Sequence, residues 1–328
     1  MMLTTSPSNF FRWLIRPTPP KRGLLLLFVL CFTAASVSAT VSHPVTQQRI
    51  TISATMSSAN LKNDGPSKLS ESKPFYEVLP KALRKRKTSL QRVCPEGDVV
   101  ARRVLEDYGA MFIAKDSVLP PPVCVFKNEQ EVLAFQDQAG YETEFISYDD
   151  VQLQPSAMKA LLKARKEALA EGLDITPRDG AEAGRRTYID SERLWETRFL
   201  PALDHWLAQE RLTLAEVERL RSLDTYQQVA AVLELERSGI FFSKDLSKSV
   251  LYSIAAPGTS QHIAMLAFDI NEFANPRVRQ ILAEHGWFQT VLSDLPHFTF
   301  LGLKEKDLPK RGLKRVIFDA QSFWIPNV

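Results

Sequence analysis

Two imidazoles and two carboxylates crowd the last quarter of the chain in a pattern that could do chemistry. His262 ends the turn-forming stretch Pro257-Gly-Thr-Ser-Gln-His262, and Asp269 follows seven residues later inside the apolar run Met265-Leu-Ala-Phe-Asp269-Ile270. Asp294-Leu-Pro-His297-Phe298 then adds a second imidazole with a carboxylate three residues ahead of it. A carboxylate in so apolar a strand is costly unless it meets a cation or takes up a proton. Two His and one carboxylate are also what a catalytic zinc ion takes from a protein, with a fourth position left for water. Asp294 would then be the second carboxylate, the base that accepts the proton of water and passes it to a leaving amine. Spacing alone leaves blander uses open. A His in a Ser-Gln-His turn is more often a surface hydrogen-bonder than a ligand, and a lone Asp at a strand end is usually a cap.

The elements that must position these groups point to an α+β fold, with helices packed on a small antiparallel sheet. Short β-type runs are expected at 250–254, 265–270, 289–292 and 297–301, with a helix over Pro276–His285 between them and residues 316–318 and 323–325 closing the sheet. Upstream lie an amphipathic helix from Ser156 to Ala170 ended by Gly172, a helix capped by Asp190 or Ser191, a third opened by the Thr213/Glu216 capping box, and a fourth over 225–236. Residues 75–150 read as an accessory α+β region, distinct from a main domain over 151–328. It contains a helix around 99–105, buried strands at 111–114 and 123–126, and an Asn128/Glu131 helix start, and its own residues suggest no chemistry.

In order, Ser260-x-His262, Ala267-x-Asp269, Gly286-Trp287 and Asp294-x-Pro296-His297-Phe298 closely resemble the D-alanyl-D-alanine carboxypeptidase and L-alanyl-D-glutamate endopeptidase family of zinc peptidases. The resemblance covers about residues 155–303. It implies a VanY-like, hedgehog/DD-peptidase fold, one Zn2+ held by His262, Asp269 and His297, Asp294 as general base, and peptidoglycan peptides as substrates. The Asp-x-Pro-His-Phe string is more like the endopeptidase branch. An upstream match, Gly184-Arg185-Arg186-Thr187 with Leu194 eight residues after Arg186, implies that Arg186 is the cation facing the oxyanion. The chain departs from the family at Met265 (Gly in the family), Arg185 (Tyr) and Ser191 (Gln), and a long interval separates Arg186 from Ser260. Those departures leave a second reading open: a non-catalytic protein on the same scaffold that binds cell-wall peptide or a partner.

Residues 1–39 read as a signal peptide, with Arg12, Arg16, Lys21 and Arg22 before an apolar run of about ten residues and Val37-Ser38-Ala39 at the cleavage point. That run is too short to span a bilayer, so export to the periplasm or beyond, without a stable membrane span, is expected. Residues 40–74 read as a disordered linker. Four of the 41 Lys+Arg lie in the leader, leaving 37 against 38 acids, so nothing argues for a nucleic-acid partner. The basic cluster of Lys81, Arg84, Lys85, Arg86, Lys87 and Arg92 reads as a solvated helix face. With Cys31 in the leader, Cys94 and Cys124 remain, and in an exported chain they are expected to pair. His285, His205 and Trp287 are read as a helix-end residue, a packing residue and a core residue.

Overall fold

The computed structural model describes residues 72–292 and 294–328; the expected leader and most of the expected linker lie outside the described residues. The helices are α1 (Phe75–Lys85), α2 (Leu90–Val93), α3 (Val99–Tyr108), α4 (Glu129–Ala139), α5 (Pro155–Ala170), α6 (Tyr188–Ala208), α7 (Leu214–Ser222), α8 (Thr225–Arg237) and α9 (Pro276–Glu284). The strands are β1 (Glu142–Ile146), β2 (Asp149–Leu153), β3 (Ala267–Asp269), β4 (Trp287–Phe288), β5 (His297–Phe300), β6 (Leu313–Phe318) and β7 (Gln321–Pro326). The class is α+β, with small antiparallel sheets among helices. No helix among the described residues is long and apolar enough to cross a membrane.

The sheet that matters is the three-stranded β3-β5-β4, with β5 in the middle. β3 and β5 run antiparallel, and their register sets Ala267 opposite Thr299, Phe268 opposite Phe298 and Asp269 opposite His297. Residues directly opposite on an antiparallel pair hold their Cβ atoms about 5 Å apart. The alternation that buries Phe268 and Phe298 thus brings a carboxylate and an imidazole together. β6 and β7 form a separate two-stranded ribbon and do not close this sheet.

Several expected strands prove to be other buried structure. Val250–Tyr252 and Gly109–Ile113 are 3-10 turns, and residues 122–125 form bends with no strand over 123–126. Residues 289–292 run past β7 without a ladder, joined by Trp324 N–H to Gln289 O at 2.8 Å. All are short apolar runs, whose periodicity does not separate a strand from a buried turn. Arg86 is half-buried rather than on a solvated face: it donates to Phe112 O and Ala114 O at 2.7 and 2.6 Å, capping the Gly109–Ile113 turn. The start of α6 also differs. Thr187 is the cap, and Asp190 is the third helical residue, whose carboxylate reaches back to Thr187 N. The Thr213/Glu216 box, the Asn128 cap and the extent of α5 are as expected.

One cluster of buried apolar side chains runs from Phe75 to Trp324. Residues 75–150 are tied into the rest by Lys115 N–H to Leu301 O at 2.8 Å, Phe126 N–H to Gly258 O at 2.9 Å and Tyr108 Oη to Leu251 O at 2.6 Å. Gly258 lies at φ +77° with Phe126 O 2.0 Å from where a Cβ would stand, so the strap over 123–126 requires glycine at this crossing.

Cys94 and Cys124 form the expected disulfide, 30 residues apart with Cα atoms 5.3 Å apart. Closing a loop of that length stabilises the fold by about 3 kcal/mol through the unfolded chain. The double variant Cys94→Ser/Cys124→Ser is therefore expected to lose about that much in urea unfolding. An unchanged midpoint would show that the link adds nothing.

Candidate metal centre

Three elements deliver the donors. β3 carries Asp269 and β5 carries His297 opposite it. His262 comes from the turn before β3, which Met265 N–H closes onto His262 O at 2.9 Å with Met265 at φ +54°. That is the left-handed region, where a side chain is uncommon. The position that is glycine in the resembled family is thus a left-handed one, and methionine, fully buried, adopts it here.

The three side chains converge. His262 Nε2 lies 3.1 Å from His297 Nδ1 and 3.2 Å from Asp269 Oδ2, and His297 Nδ1 lies 3.0 Å from Asp269 Oδ1. All three residues are buried, each at most 5% exposed. Among the described residues no other group of His, Cys, Asp or Glu is arranged to hold a metal ion.

Proton accounting shows what the triangle lacks. His262 Nδ1 lies 2.8 Å from Gly184 O; a carbonyl only accepts, so Nδ1 carries the hydrogen and Nε2 of the neutral ring is a bare lone pair. Gln261 Nε2 donates to Tyr108 O at 2.9 Å, which orients the amide and turns Oε1 to His297 Nε2 at 2.8 Å. His297 Nε2 therefore carries the hydrogen, and its Nδ1 is bare as well. Thr299 Oγ1 donates to the same Gln261 oxygen and Thr290 Oγ1 contacts Thr299, completing the network. Two lone pairs and a carboxylate face one another, which only an added cation relieves. A proton on His297 would join two of the three atoms; a metal ion takes all three. Tetrahedral zinc, with bonds of about 2.0–2.2 Å, separates its donors by about 3.4 Å, so the donor set fits.

Charge is arranged to match. Burial pushes the His262 imidazolium down to about 4, and nearby Arg186 adds to this against the pull of Asp269. Burial alone would raise the Asp269 carboxyl, but the attraction and hydrogen bonds of the His262 and His297 rings when they carry a proton outweigh burial and hold it well below the ordinary carboxylate range. Neutral imidazole nitrogens and an ionised carboxylate are the forms that ligate.

Arg186 stands at the same site. Its Nη2 donates to Asp269 Oδ2 at 2.9 Å and its Nε to Glu182 O at 2.9 Å, while its backbone N–H reaches His262 O at 3.4 Å. Arg185 turns away, lying over the Tyr141 ring and donating to Gln136 and Gln152. Ser191 donates to Tyr188 O and accepts from Gly258 N–H, which ties α6 to the turn before His262.

A cavity of about 170 Å³ opens beside the triangle, lined among others by Arg186, Ser260, His262, Asp294 and His297. Asp294 sits in a turn closed by His297 N–H to Asp294 O at 3.3 Å. Asp294 is exposed to solvent and lines the recess of this cavity. That recess, and then the negative charge of Asp269, push its carboxyl up to about 6.

Sequence reasoning passed over the groups that hold the imidazoles. Gln261 and Thr299 lie within the quoted runs but carried no signal. Tyr108 and Gln136 come from the region read as having no chemistry; Gln136 Nε2 donates to Arg186 O and Ile263 O, spanning the two turns that feed the site. His285 caps the end of α9 and contacts Glu167 at 2.9 Å, His205 packs on Trp206, and Trp287 is core, each as expected.

Gly184 gives a test of this scaffold. A Cβ there would stand 2.8 Å from Gln152 O, so β2 packs directly on the peptide whose carbonyl orients His262. Gly184→Ala should displace that carbonyl and weaken zinc binding about 10- to 100-fold, the usual cost of disturbing a ligand's outer partner. Competition with a chromophoric chelator measures it, and unchanged affinity would show the carbonyl to be dispensable.

No protein-family model matches the chain, and no curated protein matches it. Among solved structures it is similar to VanYB in complex with D-alanine-D-alanine, at 18% identity over 53% of this chain and 86% of that one, with a TM-score of 0.32. It is also similar to a variant of the vancomycin-resistance D,D-pentapeptidase VanY, from the VanB-type resistance cassette, in complex with Zn(II), at 18% identity over 53% and 85% of the two chains, with a TM-score of 0.31.

Proposed function

We propose that this protein is an exported zinc peptidase that hydrolyses peptidoglycan-type peptides on a hedgehog/DD-peptidase-like scaffold, as a D,D-carboxypeptidase or an L-Ala-D-Glu endopeptidase. The observation that carries the reading is the buried triangle of His262 Nε2, His297 Nδ1 and Asp269 oxygens, 3.0–3.2 Å apart. The order of residues from Ser260 to Phe298 adds the peptide chemistry through the resemblance.

His262, Asp269 and His297 would hold the ion, which supplies acidified water and a polarised carbonyl when bound. Asp294 takes the proton of the attacking water and returns it to the leaving nitrogen, the task for which a carboxyl raised towards neutrality is suited. Arg186 keeps Asp269 ionised and oriented, and its guanidinium, on the cavity wall, is the cation beside the oxygen that gains charge. Gln261 and Gly184 keep the two rings in the ligating tautomer.

The commitment of Arg186 to Asp269 and Glu182 favours one second reading, a peptide binder that does not cleave. Incubation of zinc-loaded protein with peptidoglycan fragments, followed by mass spectrometry, separates the two. Loss of terminal D-alanine or scission between L-Ala and D-Glu is expected. Retained fragments of unchanged mass would leave binding alone.

A further inference from the structure

The far end of β5 from the metal centre is ringed by lysine. His297 opens the strand and Phe300 closes it, about 10 Å further along at the usual strand rise. Phe300 lines a recess of about 400 Å³ whose other walls carry Lys115, Lys159, Lys163 and Lys304. Across Glu284 and Lys304, which line both, it adjoins a recess of about 700 Å³ that adds Arg279, Lys306 and Arg315 against Glu305. Neither recess shares a residue with the cavity beside the metal centre. We propose that the two form one binding groove for a linear phosphate polymer, a chain of polyol or sugar phosphodiesters, which anchors the protein and leaves the metal-side cavity open. The groove stands independently of the peptidase reading.

Charge is the first argument. Seven cationic side chains line the groove against the carboxylates of Glu284 and Glu305, in a chain that beyond residue 39 holds 37 Lys and Arg to 38 acids. The nearby acids have partners of their own. Glu167, Glu171 and Glu284 face Arg277 at 2.5–3.5 Å, Asp116 lies 3.7 Å from Arg86, and Glu305 accepts from Trp324 Nε1 at 3.1 Å. With these acids and their two arginines included, cations still lead by nine to five. Lys159 and Lys163 stand one turn apart on the same face of α5, where like charges repel. The ion pairs among the described residues are made by Arg and His, so these lysines keep their charge for a ligand.

Shape and lining select the anion. Part of the wall between the lysines is bare backbone: Gly286 and Gly302 lie at φ +84° and +63°, and a Cβ on Gly286 would stand 2.8 Å from Gly302 Cα. A flexible chain can enter such a recess, whereas a flat bilayer surface cannot. Two recesses of ligand size in series suit a repeating anion better than a single phosphate. Lysine meets phosphate as a compact point charge, without the fork by which arginine grips a carboxylate. Single-stranded nucleic acid also needs rings on which to stack, and the aromatic walls here, Trp287, Phe288, Phe298, Phe300 and Trp324, are each at most 4% exposed.

Calorimetry of the zinc-loaded chain tests this with poly(glycerol phosphate), with poly-D-glutamate of equal charge and with oligothymidylate, alongside sedimentation with phosphatidylglycerol vesicles. The phosphate polymer should bind tightest, with log K falling against log[salt] at about −0.7 per lysine engaged. Lys159→Ala/Lys163→Ala should weaken it about tenfold or more and flatten that slope by about 1.4, with zinc content and unfolding midpoint at the wild-type level. Lys159→Arg/Lys163→Arg should restore it. Lys81→Ala/Lys85→Ala, which removes the same charge from exposed positions on α1, should leave binding unchanged. Several results would overturn the proposal: no binding of the phosphate polymer, equal or tighter binding of polyglutamate or oligothymidylate, retention by vesicles that depends on the same lysines, or equal losses in the α1 and α5 variants. Peptide hydrolysis is scored separately, so failure of the groove leaves the peptidase reading standing, and the reverse.

Discussion

Asp294→Asn keeps its zinc and loses about two to four orders of magnitude in the rate of peptide hydrolysis, the usual worth of a positioned general base. The amide preserves the shape of the side chain at the cavity wall and removes only its ability to take a proton. Because Asp294 makes no ligand contact in the triangle of 3.0–3.2 Å distances, metal content should stay at the wild-type level. Proton linkage sharpens the expectation. The Asp294 carboxyl, raised to about 6 by its recess and by Asp269, works as a base only when ionised, so activity falls as pH drops through that value. A bound cation pulls the same carboxyl down, which sets the acid limb of kcat/KM at or below pH 6. In Asp294→Asn that limb should vanish from the residual activity. A variant that hydrolyses at the wild-type rate removes Asp294 from the role of base.

His262→Ala is the second large effect, and it acts one step earlier. Removing one of three protein donors lowers zinc affinity by more than the roughly 10- to 100-fold that outer partners are worth, and activity should fall below detection at any pH. Two consequences separate this from simple unfolding. The variant leaves Gly184 O without its donor, a cost of about 1–3 kcal/mol that a stability measurement should register as a lowered midpoint with cooperativity intact. Its zinc content, by elemental analysis after dialysis, should drop from one ion per chain to none. His285→Ala, at the contact with Glu167 beside the end of α9, should keep both zinc and activity.

The site was more legible in the sequence than the architecture around it. His262, Asp269, His297 and Asp294 are set by short-range order along the chain, and an Asp stranded in an apolar run announces that something must answer its charge. Helices with strong caps, such as α5 and α7, were equally plain because capping and 3.6-residue spacing are local. Segments 109–113, 250–252 and 289–292 were not, since each is apolar for the reason strands are and yet is held by particular partners: Arg86 for the first, β7 for the last. Gly184, Gln261, Gln136 and Tyr108 were invisible for a different reason. Each acts through a carbonyl or amide contact made across many residues, and no spacing rule encodes such a contact. Arg186 was found by motif, but its engagement with Asp269 depends on how the 3-10 turn over Gly180–Ala183 lies against β3, which only the folded chain shows.

The most direct measurement is anomalous diffraction at the zinc edge from crystals grown with one equivalent of zinc. A single peak is expected at bonding distance from His262 Nε2, His297 Nδ1 and an Asp269 oxygen, with Gln261 Oε1 still on His297 Nε2. A zinc ion bound elsewhere, or none bound while the three side chains keep their places, would contradict it.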